Sequence, residues 1–370
     1  MAKEGEMSGI STSAALMDRL GISVPILQSP MAGVSTPEMA AAVSNAGGLG
    51  ALGIGAARVE QAEKMLVQTA ALTERPFNVN VFCHQPATAD PVREAAWLQY
   101  LSPVFQGFGA TPPQGLREIY TSFCVDRDMQ DMLIAQRPAV VSFHFGLPSQ
   151  DVIAALKTAG VVVLATATSL TEARSLERAG IDAIVAQGWE AGGHRGIFDP
   201  TGEDERMQTL PLVRELAAAQ TLPVIAAGGM MTGADIADAL SAGAAAAQLG
   251  TAFIACPESS ADAGYRAALL ADDPETEMTA VISGRPARCL SNRFTDWGRQ
   301  NRDVEIPDYP IAYDAGKALN AAAKNRDEVG YGAQWAGQGA AQSRAMPTAE
   351  LVATLAGELT VAQQGSRTPE

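Results

Sequence analysis

The strongest constraint in this sequence is an alternation that occurs eight times: a short apolar or β-branched run, a brief turn, then an alanine-rich stretch of helical character. The runs fall at 25–31, 48–54, 77–82, 139–146, 161–168, 183–188, 223–229 and 246–253. Helix starts are legible after several of them. Ser35-Thr36-Pro37-Glu38 sets proline in a first turn, Ser149 precedes Gln150-Asp151, and Ser169-Leu170-Thr171-Glu172 has capping-box spacing. Strands that are apolar throughout must be covered on both faces, and parallel neighbours need right-handed helical crossovers. Eight such units predict an α/β fold, a (β/α)8 TIM barrel. An open doubly wound sheet competes, but its G-x-G-x-x-G turn should follow the first strand, where Pro30-Met31-Ala32-Gly33-Val34 stands instead.

The 370 residues suffice for one large barrel and a smaller appendage. We expect the barrel over 1–256, interrupted by an insertion at about 83–127 that holds Trp97, Tyr100 and Tyr120, and a mainly helical substrate or cap region over 257–370, where the strand signal fades. A formal charge of −15 argues against nucleic acid as a partner. An anionic ligand would need a local site of a few cations and backbone amides. The start of the chain lacks a basic segment followed by an apolar run, and no stretch of 18 uncharged apolar residues occurs, so the expectation is a cytoplasmic protein that does not enter membranes, as a monomer or homodimer. Cys83, Cys124, Cys256 and Cys289 are scattered without metal-site or redox-pair spacing and read as reduced structural thiols, with no metal expected.

Ligands of such barrels sit at the carboxyl ends of the strands, and phosphate commonly binds after the seventh and eighth. The seventh run ends in Ala227-Gly228-Gly229-Met230, ahead of a helix opening at Thr232-Gly233-Ala234-Asp235, and the eighth ends in Gln248-Leu249-Gly250-Thr251. Paired glycines let backbone N–H groups approach a phosphate, the helix start adds positive potential, and the Thr251 hydroxyl can donate. Asn80 and Gln187, at the ends of the third and sixth runs, carry the donor and acceptor atoms that the pyrimidine edge of a flavin requires, though either could be an ordinary loop amide. Directly after the sixth run, Glu190-Ala191-Gly192-Gly193-His194 puts an imidazole in a glycine-rich loop at the mouth, where it can take a proton or hold a developing anion, or simply bond to backbone. His144 on the fourth run reads as a packed residue and His84 as the start of a loop. Tyr309, Tyr313 and Lys317 recur every four residues; on a helix they would line two phenols and an ammonium along one face, with Pro310 marking the helix start. The bland alternative is an amphipathic face with a solvated lysine.

Together with Gln28-Ser29-Pro30-Met31-Ala32-Gly33 and Asn78-Val79-Asn80-Val81-Phe82, these ordered motifs resemble the nitronate monooxygenases over nearly the whole chain, and the Tyr-x₃-Tyr-x₃-Lys tail resembles their class I branch. The resemblance implies FMN as cofactor, contacted by Met31, Ala32, Asn80, Gln187, Gly192, Gly228, Gly229, Gln248, Leu249, Gly250 and Thr251. It implies that His194 is the active-site histidine and that Tyr120, His144, Tyr309, Tyr313 and Lys317 surround the substrate. Methionine stands at position 230 where isoleucine is frequent, an exchange that a backbone contact would survive. The implied reaction is oxidation of an alkyl nitronate, propionate 3-nitronate above all, by molecular oxygen to aldehyde and nitrite. Two other readings share the barrel and glycine motifs: an FMN-dependent NAD(P)H reductase of the enoyl-acyl-carrier or quinone type, and a non-catalytic FMN-binding protein.

Overall fold

The computed structural model describes residues 12–300 and 304–365; the first eleven residues of the amino-terminal segment read above lie outside the described residues. Its centre is a parallel sheet of β1 (Ile26–Gln28), β2 (Gly50–Gly53), β3 (Phe77–Phe82), β4 (Val140–His144), β5 (Val162–Ala167), β6 (Ala183–Gln187), β8 (Val224–Ala227) and β9 (Ala246–Leu249). The excluded number, β7 (Gly193–His194), lies beyond the barrel rim. The strands pair in the order β1-β9-β8-β6-β5-β4-β3-β2, and a parallel bridge between Leu27 and Leu49 joins the two ends into a barrel.

The caps anticipated from sequence are made. Thr36 accepts from Met39 N with Pro37 in the first turn, and Ser149 and Ser169 accept from Val152 N and Glu172 N. Each satisfies an N–H that a helix start leaves unpaired. One boundary differs. The run at 246–253 stays extended only to Leu249, where β1 also ends, and Thr251–Ile254 form a short buried helix. A short apolar run buried on all sides has no period to distinguish strand from helix.

Inward side chains alternate along each strand and change character along the barrel axis. At the amino end Leu27, Val140, Leu164, Ala183, Ile225 and Ala246 pack into one cluster with Leu16, Leu20 and Ile22 from the start of the chain. One or two inward steps further, at the carboxyl end, stand Asn80, Ser142, His144, Thr166, Gln187 and Gln248. The lower barrel is thus a solid apolar plug, worth about 1.5–3 kcal/mol for each large side chain buried, and the polar upper ring is free to serve a ligand.

A second body stands over this ring. Strands β10 (Thr276–Thr279) and β11 (Ala287–Leu290) form a small antiparallel sheet with β7, in the order β10-β11-β7. The helix Pro91–Gly107 from the insertion packs against the helix Ile311–Lys324, around Trp97, Leu101, Phe105, Phe294 and Leu319. The last helix, Thr348–Gly365, instead returns to the barrel wall beside Pro37–Asn45 and Gly233–Ser241. Among the described residues no helix is long and apolar enough to cross a membrane.

Candidate active site

Between the barrel rim and the second body lies a chamber of about 830 Å³. One end is lined by Gly228 and Gly229 after β8 and by Gln248, Leu249, Gly250 and Thr251 after β9. Gly229 has φ +75°, a left-handed conformation that costs other residues about 1–2 kcal/mol. This turn leaves the N–H groups of Gly229 and Met230 without an acceptor among the described residues, and the same holds for Gly250. Three unpaired amides on two neighbouring strand ends form a cradle for an anion. The following helix contributes less than its sequence suggests. Asp235 accepts from Met231 N and Thr232 N, and Glu358 accepts from Gly233 N, so carboxylates already occupy that terminus. The Thr251 hydroxyl accepts from Gly337 N at 2.9 Å, which leaves its own proton to donate.

Met31, Ala32 and Gly192 also face the chamber. A Cβ at Gly192 would stand 2.5 Å from Gly337 N, so only glycine permits these two loops to meet. The Asn80 amide nitrogen donates to Ser142 O and Oγ at 3.0 and 2.9 Å, directing its oxygen to be the free end. Gln187 is more committed: Nε2 donates to His194 O at 3.0 Å and Oε1 accepts from Gly196 N at 2.7 Å. It ties the histidine loop to β6 and retains one N–H for a ligand.

The loop after β6 is held along its length. The Glu190 carboxylate accepts from Thr209 N and Oγ1, and the buried Arg195 makes a two-pronged pair with Asp204 at 2.8 and 2.9 Å. His194 lines the chamber, and its Nε2 lies 2.9 Å from Ser283 Oγ. His144 is engaged at both nitrogens, by Thr166 Oγ1 at 3.0 Å and His194 O at 3.2 Å. Since a carbonyl only accepts, His144 Nε2 carries the proton. His84, the third and last histidine of the chain, is buried and packs edge-on against Tyr309. Burial foremost, with the nearby Arg285 cation, lowers the pKa of His84 and His144 to about 4. Burial, then His144, Arg285 and His84, push His194 well below its ordinary value. All three imidazoles are neutral at pH 7. Arg285 itself is buried over the Phe145 ring, and burial lowers its pKa to about 10.

The tail residues converge as the four-residue spacing anticipates, although the helix begins at Ile311 with Pro310 as its cap and Tyr309 lies just outside it. Tyr309 and Tyr313 stand 5.2 and 6.2 Å from the His194 ring, and Tyr120 stands 5.9 Å from Tyr313, between ring centroids. Lys317 Nζ lies 4.9 and 5.4 Å from the Tyr120 and Tyr313 rings, a cation held by two aromatic faces. It makes no ion pair among the described residues. The Tyr309 hydroxyl is buried without a partner. Burial raises the pKa of all three phenols, so they serve as donors that do not ionise.

Sequence reasoning missed Ser283, Arg285, Trp335 and the buried setting of His84. Trp335 packs 4.9 Å from the His194 ring and lines the chamber. The available signal was the glycine cluster Gly330, Gly332, Gly337 and Gly339, since Gly337 and Gly339 press against the loops of Glu190 and Gly229. Nothing local marks Ser283.

A closed parallel barrel with amide donors at its last two strand ends, roofed by neutral imidazole and phenols, has the construction of a barrel enzyme whose ligands enter at the carboxyl rim. The nitronate monooxygenase family model matches residues 13–358. A nitronate monooxygenase of Paraburkholderia phytofirmans is 60% identical over 346 residues, covering 93% of this chain and 94% of that protein. One from Pseudomonas aeruginosa is 53% identical over 341 residues, covering 92% and 97%. Among solved structures, the nitroalkane oxidase of Streptomyces ansochromogenes is 39% identical with a TM-score of 0.87, covering 95% of this chain and 99% of that one. FabK from Thermotoga maritima is 29% identical with a TM-score of 0.73, covering 95% and 98%. The chain belongs to the nitronate monooxygenase family, and it is an oxidoreductase that acts on nitronates.

Proposed function

We propose that the chamber binds FMN and oxidises propionate 3-nitronate with molecular oxygen, giving the aldehyde and nitrite. The observation that carries the substrate is Lys317, an exposed side chain on the chamber lining whose ammonium has no ion-pair partner among the described residues and lies over the Tyr120 and Tyr313 rings. A cation with free donors at the edge of the chamber can pair with an anion arriving with the ligand. The residues fit the cofactor too. The unpaired amides of Gly229, Met230 and Gly250 and the Thr251 hydroxyl suit its phosphate. The Asn80 oxygen, the remaining Gln187 N–H and the Gln248 amide suit a flavin ring edge, with Met31, Ala32, Gly192, Gly228 and Leu249 closing around it. When bound, FMN supplies the electron-accepting ring that the oxidation requires.

The protein's own part is to bind, orient and keep the anion. Lys317 neutralises the distal carboxylate, and the orphan Tyr309 hydroxyl, with Tyr313 and Tyr120 beside it, offers donors to the nitronate oxygens. His194 and His144 stay neutral, which matters for a carbanion-like substrate: an imidazolium alongside would return a proton to the nitronate carbon and yield the nitroalkane. The test is oxygen uptake with nitrite release when FMN-loaded protein meets propionate 3-nitronate. Uptake without nitrite, or neither, contradicts the proposal.

A further inference from the structure

We propose that Ser283 is a positioning residue that fixes His194 in the tautomer protonated at Nε2, turning its N–H away from the bound nitronate and leaving Nδ1 as a bare acceptor. This rests on the reading of the chamber as a nitronate site, and it concerns a residue outside the chamber lining.

The Ser283 hydroxyl is completely buried and has two neighbours, the His194 ring at 2.9 Å and the carbonyl of Arg285 at 3.2 Å. It has one proton to give. A carbonyl cannot donate, so if the hydroxyl gives its proton to Arg285 O, His194 must donate from Nε2 and all three groups are satisfied. In the opposite tautomer the hydroxyl donates to Nε2, the Arg285 carbonyl loses this partner and gains no other among the described residues, and an N–H appears at Nδ1. The first arrangement is therefore preferred. Nδ1 has no partner among the described residues and belongs to a ring that borders the chamber.

The neighbouring imidazole follows the same logic, for the His144 N–H is consumed by His194 O and its other nitrogen by Thr166. Neither chamber histidine then presents an N–H to the substrate. Donation falls to the phenols and Lys317, which leaves His194 able to accept a hydrogen bond or a proton and unable to give one. The Ser283–Arg285 turn thus acts on the anion through the ring it orients.

The tautomer is read by long-range proton–nitrogen NMR on FMN-loaded protein labelled with nitrogen-15 histidine at pH 7.5. Three histidines keep the spectrum simple, and His84→Asn identifies one of them. The expected wild-type signal for His194 has a protonated Nε2 and an unprotonated Nδ1. In Ser283→Ala the two forms mix, and Ser283→Thr, which keeps the hydroxyl, returns the wild-type pattern. Alongside, kcat for propionate 3-nitronate falls ~10-fold in Ser283→Ala, within the loss that misplacing a group beside the reacting atoms causes, and recovers in Ser283→Thr. A His194 protonated at Nδ1 in wild type, or a ring pattern unchanged in Ser283→Ala, overturns the proposal. If Ser283→Ala does not fold, the wild-type spectrum still decides. The ring pattern is independent of turnover: protein with the expected tautomer but no nitrite release loses the substrate reading alone, and nitrite release with the opposite tautomer loses only the role of Ser283.

Discussion

In the proposed function Lys317 and Tyr309 divide the work of holding an anion, and each should leave a different trace when altered. Replacing Lys317 with methionine removes a charge-assisted contact of about 1.5–3 kcal/mol, roughly ten- to hundredfold in affinity. KM for propionate 3-nitronate should rise by that factor while KM for an alkyl nitronate without a carboxylate stays close to wild type; equal rises would remove the carboxylate role. Tyr309→Phe removes a buried hydroxyl that has no protein partner. Folding stability in urea should stay level or increase by about 1 kcal/mol, while KM for the nitronate rises; a clear loss of stability would mean that the hydroxyl serves the fold and not a ligand. Lys317 was legible in the sequence because it follows Tyr313 at helical spacing after Pro310, whereas Tyr309 stands just ahead of the helix and was reached through the four-residue repeat alone. Ser283 was not, because its importance comes from a contact with His194 across 89 positions of sequence, made when β11 pairs with β7.

The strand-end turns are the elements on which the cofactor reading stands. Gly229→Ala places a Cβ on a left-handed residue and 3.0 Å from Glu190 Cβ, which strains the turn by about 1–2 kcal/mol or reorients its unpaired amides. FMN binding followed by flavin fluorescence should weaken roughly tenfold or more; unchanged affinity would place the phosphate elsewhere. Barrel strands and helix caps could be read in advance because burial on both faces demands apolar runs and helix starts demand side-chain acceptors. The small sheet could not. Thr276–Thr279 is a polar, half-buried strand, and β7 has only two residues, so pairing with distant β11 and not local pattern makes them extended. The eighth barrel run shows the converse, since its apolar continuation past Gly250 satisfies burial as a helix.

At the scale of the whole molecule, the three histidines of the chain all lie at one interface, between the barrel rim and the body above it, facing Arg285, Tyr309, Tyr313, Trp335 and Phe145. Their folded pKa values lie below the unfolded value of about 6.5. The unfolded chain therefore takes up protons that the folded chain refuses as pH falls below about 6.5, and stability present above that pH is lost on the way down, levelling near pH 4 for His84 and His144. Each histidine contributes a slope of about 1.4 kcal/mol per pH unit. Urea midpoints from pH 7 to 4 should fall steeply in wild type and less steeply in His84→Asn; parallel curves would show that His84 is not held neutral. The central claim, a flavin chamber that takes a nitronate anion, is tested most directly by mixing the FMN-loaded protein anaerobically with propionate 3-nitronate and following flavin absorbance, with NADH as the parallel reductant. The account predicts a rapid spectral change with the nitronate and none of comparable rate with NADH. A protein that stays colourless in the presence of FMN, or one that NADH bleaches while the nitronate leaves it unchanged, would contradict it.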